Sequence, residues 1–162
     1  MKGDPVTLVP ADEETLVTVY LAVRSSDLRL ESSATGTRQL LAMQLAAQRQ
    51  QYRRLFPMAS WSVIRCGSVP VGWIAAARGE AEIRCLDIGL LEGVRRRGIA
   101  AHVLGLLQRD AAAGGLAVTL TVRSDNAPAR AVYDRLGFQP ESTTANHLHL
   151  TWRSASGTGG CQ

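Results

Sequence analysis

With 162 residues the chain is long enough for one domain with a full core. Its 46% hydrophobic and 20% charged residues describe a soluble globular protein, since no apolar run reaches the roughly 18 residues of a membrane span and the start MKGDPVTLVP lacks a signal-peptide core. The formal charge of +4 suits an acidic ligand better than duplex DNA, which calls for a longer basic stripe than Arg53-Arg54 and Arg95–Arg97 and for more than 5% aromatics.

In chain order, Val6–Val9 alternates weakly and ends at Pro10, a first strand. Asp12 is placed to cap the helix that follows, with Glu13 and Glu14 in its first turn and Leu16, Val19, Tyr20 and Val23 on its apolar face. Ser25–Gly36 reads as polar and turn-like. A second helix runs from about Thr37 to Leu55, lined on one side by Leu41, Leu45, Gln48 and Tyr52 and ended by Pro57. Ser60–Cys66 and Val71–Ala77 form a hairpin across Gly67–Pro70. Ala81–Leu91 is the long central strand, and Ile99–Ala113 a helix with Ile99, Val103, Leu106, Leu107 and Ala111 on one face, stopped by Gly114-Gly115. Gly105, mid-helix, costs about 1 kcal/mol relative to Ala, which close approach of another element would explain. Leu116–Val122 is the next strand, Asn126 caps a short helix ended by Gly137, and Phe138–Glu141 and His147–Trp152 are the last strands. Residues 1–153 read as one domain and 154–162 as a frayed tail. Cys66, Cys85 and Cys161, odd in number and without metal-ligand spacing, read as reduced thiols of a cytoplasmic protein.

The chain is organised around Leu86–Ala113. A strand there turns through Glu92-Gly93-Val94 and Arg95-Arg96-Arg97-Gly98 into a helix. The unpaired N–H groups and the positive dipole end of that helix make an anion site, and three arginines add forked donors for phosphate oxygens. A diphosphate is the expected guest.

Arg95-Arg96-Arg97-Gly98-Ile99-Ala100 resembles the Q/R-x-x-G-x-G/A fingerprint of the GCN5-related N-acetyltransferase (GNAT) family. Asn126, Ala129, Tyr133 and Gly137-Phe138 resemble its second segment, so the likeness spans about Ala81–Glu141. Before Ala81 it lies in element order alone. The resemblance implies an α/β fold: one mixed sheet of about seven strands, splayed between the fourth and fifth, with helices on both faces. It also implies an enzyme moving an acetyl group from acetyl-coenzyme A to a primary amine of a small molecule or peptide, by direct attack in a ternary complex. No metal, nucleic acid or membrane takes part, and members of the family often pair as homodimers. The alternative is a non-catalytic acyl-coenzyme A sensor or partner-binding module on the same fold.

Site roles follow from the resemblance. The cofactor diphosphate would rest on backbone N–H groups from Arg95 through Arg96, Arg97, Gly98, Ile99 and Ala100 to Ala101, with Arg97 the guanidinium most exposed to solvent. Its pantetheine arm would lie along main-chain groups of Ile88, Leu90 and Leu91. Asn126 and Ala129 border the same cofactor, and Tyr133 would protonate the leaving thiolate. Many members have Gly at the position of Arg96 and Pro at that of Glu92; a helix-entry conformation lets Arg96 present its N–H with a side chain attached, and the lost Pro loosens the loop entry. Glu82 is the candidate general base and Asp87 its competitor, with a water chain as the third option. Strand alternation predicts that at most one of the two carboxylates faces the acceptor. His102, His147 and His149 read as structural, with no third metal ligand beside the last two.

Overall fold

The computed structural model describes residues 4–31 and 34–155. Strand β1 (Val6–Pro10) leads into α1 (Glu13–Asp27), which Asp12 caps by accepting the Thr15 N–H at 2.8 Å. That bond holds the Asp12 carboxyl below its ordinary range. The segment read as a polar turn is shorter than expected: α1 continues through Asp27, and α2 (Thr35–Leu55) begins at Thr35. Ser25 is buried there, its hydroxyl donating to the Ala22 carbonyl, so polarity misled the reading. Strands β2 (Ala59–Cys66) and β3 (Val69–Arg78) form the hairpin, with Gly67 at φ +58° in its turn. Then come β4 (Glu82–Leu90), a short 3-10 turn at Glu92–Val94, α3 (Ile99–Ala113) and β5 (Ala117–Arg123). The chain continues through α4 (Ala127–Arg135), β6 (Gln139–Thr143) and β7 (His147–Trp152). The tail beyond residue 155 lies outside the described residues, as does Cys161.

The strands make one seven-stranded sheet in the order β1-β2-β3-β4-β5-β7-β6. Every neighbouring pair is antiparallel except β4 and β5, which run parallel and are joined by α3, as a parallel crossover requires. Helices cover both faces. On one, Leu16, Val19, Tyr20 and Val23 of α1 and Leu45 of α2 bury Trp73. On the other, Val103, Leu104 and Ala111 of α3 and Tyr133 of α4 close over Ile83, Cys85, Val118 and Leu120. Removing this much apolar surface from water holds the layers together.

Two details of β4 set up the site. Its pairing with β3 slips by one residue: Ala76 faces Cys85 and Ala75 faces Asp87, leaving Leu86 as an extra residue in a bulge. Beyond the bulge, the Trp73 ring lies over Gly89, where an added Cβ would sit 2.4 Å from the ring. A Cβ on Gly72 would come within 2.1 Å of the Gly89 carbonyl, so both positions must stay bare for the strands to approach.

Candidate active site

The parallel pairing of β4 with β5 covers four rungs, Glu82↔Ala117 to Cys85↔Leu120, and stops. From Leu86 onward β4 follows β3 while β5 turns to β7, so the sheet opens between them. The Leu91 N–H, bonded to the Val71 carbonyl at 2.9 Å, fixes the phase of the β3–β4 ladder. By the alternation of antiparallel pairs, the N–H and C=O groups of Ile88 and Leu90 point away from β3 and into the opening. Leu91 points the other way, toward β3. The Leu90 carbonyl is already engaged by Arg95 Nε at 3.0 Å.

The opening is a cleft of about 800 Å³. Ile88, Gly89 and Leu90 form one wall, Asn126, Ala129 and Tyr133 another, and Arg95, Arg96, Gly98, Ile99, Ala100 and Ala101 its end. Glu82, Leu91 and Arg97 are outside the lining, and Arg97 is exposed. The helix α1 contributes Val23, Arg24 and Asp27, and α4 contributes Pro128, Val132 and Arg135; sequence reasoning placed none of them at the cofactor. A basic residue in the last turn of α1 was the available signal for Arg24.

At the cleft's end, α3 starts from Gly98 with no side-chain cap. Its first intrahelical bond runs from the His102 N–H to the Gly98 carbonyl at 2.9 Å, so the N–H groups of Ile99, Ala100 and Ala101 precede the helical ladder. Gly98 has φ +79°, in the left-handed region that glycine takes at least cost. Arg96, ahead of the helix, is left-handed too, at φ +62°, which costs a residue with a Cβ about 1–2 kcal/mol. The bend is also tied and not loose, because Glu92 Oε2 accepts the Ser26 hydroxyl at 2.8 Å and Arg95 pairs with Asp27 at 2.5 Å.

Tyr133 is 9% exposed, sits edge-on to Phe138 at 5.8 Å, and borders the cleft. Burial first, then the Cys85 and Asp87 charges, push its phenol up to about 12. The neighbouring Cys85 thiol, buried in the core, is also pushed up to about 12 by burial and by Asp87. Asn126 Oδ1 accepts the Ala129 N–H at 3.2 Å, which makes it the cap of α4 as well as a cleft wall.

The two candidate carboxylates lie on the same face of the sheet, against the alternation rule, because the Leu86 bulge between them shifts the parity by one. Asp87 Oδ2 receives Trp73 Nε1 at 3.1 Å, Gln48 Nε2 at 3.4 Å and the Arg24 guanidinium at 3.4 Å. Glu82 lies at the closed end, 3.8 Å from Arg84, in a separate hollow of about 290 Å³. Thr119, Glu141, Ser142 and His149 share that hollow, and His149 Nδ1 is 2.9 Å from the Thr121 hydroxyl. His102 and His147 are exposed, and no group of three metal-ligating side chains occurs among the described residues. At Gly105 a Cβ would meet only Arg109, at 3.9 Å, so close approach of another element does not explain that glycine.

Among curated proteins none matches the sequence significantly. Solved structures do match in fold. Ard1 from Thermoplasma volcanium is 20% identical with a TM-score of 0.65, covering 91% of this chain and 97% of its own. PaiA N-acetyltransferase from Thermoplasma acidophilum, in complex with coenzyme A, is 13% identical with a TM-score of 0.63 over 93% of this chain and 99% of its own. The ribosomal-protein-S18-alanine N-acetyltransferase from Escherichia coli is 15% identical with a TM-score of 0.67 over 92% and 94%. A family model described as the acetyltransferase (GNAT) family matches residues 28–138, from the end of α1 through the opening to Phe138. The parted strands, the uncapped helix and the matched segment coincide, and the chain belongs to the acetyltransferase (GNAT) family.

Proposed function

We propose that the protein is an acetyl-coenzyme A-dependent N-acetyltransferase acting on a primary amine of a small molecule or peptide, by direct attack in a ternary complex. The observation that carries this reading is the parting of β4 from β5 after Cys85 and Leu120, with the opening ending on the free N–H groups of α3. A cleft of about 800 Å³ suits an extended cofactor. The Ile99–Ala101 N–H groups and the Arg96 and Arg135 guanidinium groups offer donors for a diphosphate. Arg95, held by Asp27 and Leu90, shapes the mouth. Leu90 offers its N–H and Ile88 its C=O to an amide-bearing arm, as an open strand edge does.

Acetyl-coenzyme A supplies the activated acetyl group; the chain's residues bring the amine to it and move the protons. The hollow around Glu82 opens on the sheet face opposite Tyr133 and ends at the last paired rung, which supports approach of the acceptor from that side. Glu82 is better placed than Asp87 to take the amine's proton, since Asp87 Oδ2 is committed to three donors. As the amine nitrogen bonds to the acyl carbon, the Ile88 N–H stabilises the charge on oxygen and the C–S bond breaks. Tyr133 then gives its proton to the sulfur. Burial pushes the phenol up to about 12, so Tyr133 carries its proton at neutral pH and has one to give.

The test is release of free thiol from acetyl-coenzyme A across a panel of amines. Saturable release with at least one amine is expected, cut about 10²–10³-fold in Tyr133→Phe with cofactor affinity nearly kept. Tight cofactor binding with no release from any amine would make the protein an acyl-coenzyme A sensor.

A further inference from the structure

Where β4 leaves β5, the strand is gripped from the acceptor side by α2. Tyr52 donates its hydroxyl to the Leu86 carbonyl at 3.1 Å, and Gln48 Nε2 donates to Tyr52 Oη at 3.2 Å. The Tyr52 ring stacks on Trp61, with centroids 6.0 Å apart and planes at 29°. Leu86 is the extra residue of the bulge, opposite no residue of β3 and beyond the last rung with β5. Tyr52 therefore supplies the hydrogen bond that a neighbouring strand would give elsewhere. One residue on, Asp87 is clamped by Trp73, Gln48 and Arg24.

We propose that Tyr52 is a positioning residue for acetyl transfer: by holding the Leu86 carbonyl toward α2, it fixes the aim of the Ile88 N–H into the opening. This rests on the functional reading above. The peptide unit from Leu86 to Asp87 is a rigid plane, anchored at its oxygen by Tyr52. The Asp87 side chain anchors the Cα that joins this plane to the next. That next plane carries the Ile88 N–H, so two rotations that would swing the donor are restrained from both sides. A donor held before charge develops needs no reorganisation during the reaction. Burial and the Asp87 charge push the Tyr52 phenol up, which keeps its proton available for Leu86.

The variant Tyr52→Phe keeps the ring on Trp61 and removes the hydroxyl. Amide hydrogen exchange of the protein without cofactor is expected to speed up about tenfold at Leu86 and Asp87, with α3 and β5 unaffected. With cofactor and amine, kcat is expected to fall about tenfold while the KM for acetyl-coenzyme A and the unfolding temperature stay near the parent's. Unchanged exchange, unchanged kcat, or a joint fall in kcat, cofactor affinity and unfolding temperature would each overturn the proposal. A parent that turns over no amine overturns the functional reading instead. The two failures are told apart because the exchange comparison needs neither cofactor nor amine.

Discussion

The two halves of β4 share a strand and little else. From Glu82 to Cys85 the backbone is paired on both sides, with Ile83 and Cys85 sealed in the core. From Leu86 to Leu90 it is paired on one side, bordered by a cleft, and held by side chains from α1, α2 and the Arg95 loop. The paired half is stabilised by burial and lowers the polarity of its surroundings. The open half keeps its hydrogen-bonding groups available because a bulge, two bare glycines and a tyrosine stand in for the absent strand. Stability and reactivity are thus separated within nine residues, at the one residue that breaks the register.

The core packed around the paired half carries the largest expected effect. Tyr133 and Cys85 both hold their protons to about 12 in the fold, against 10.0 and 9.0 as ordinary values. The folded state therefore keeps protons that the unfolded chain releases, and stability falls as pH rises from about 9 to about 12. Holding a proton tenfold more tightly is worth about 1.4 kcal/mol, so Tyr133 alone accounts for roughly 3 kcal/mol of this loss. Denaturant unfolding at stepped alkaline pH checks it: Tyr133→Phe should flatten the fall, and equal slopes in variant and parent would contradict the burial account. At the open half, Arg96→Gly relieves the left-handed strain at φ +62°. After the extra chain entropy of glycine, it should stabilise the fold by about 0.5–1 kcal/mol while weakening cofactor binding by the loss of one guanidinium. Gly105→Ala is the control outside both halves. With room for the methyl, it should raise the unfolding midpoint by somewhat under about 1 kcal/mol equivalent and leave binding alone.

The sequence made the element order legible because its apolar periods switch cleanly between strand and helix, and Asp12, Asn126 and Gly114-Gly115 mark helix ends. Sheet order was less accessible: nothing in Phe138–Trp152 says that β7 inserts between β5 and β6. The bulge at Leu86 was invisible, since one unpaired leucine looks like any other, and it reversed the parity argument about Glu82 and Asp87. Arg96 gave no sign of its positive φ, a conformation that arginine rarely reveals. Around the cleft, the residues from the fingerprint and the α4 segment could be named because they are close in sequence to Gly98 and Tyr133. The contacts of Arg24, Asp27 and Tyr52 could not be foreseen, because they reach β4 and its loop across 34 to 68 residues of chain.

The central claim is that the mouth of α3, beside the parted strands, holds the diphosphate of acetyl-coenzyme A. Calorimetric titration of acetyl-coenzyme A into the parent and into Gly98→Glu addresses it directly. Saturable binding by the parent is predicted, weakened about a hundredfold or more in the variant, where a carboxylate and a strained φ replace the bare cap. Equal affinity in the two proteins, both folded, would contradict it.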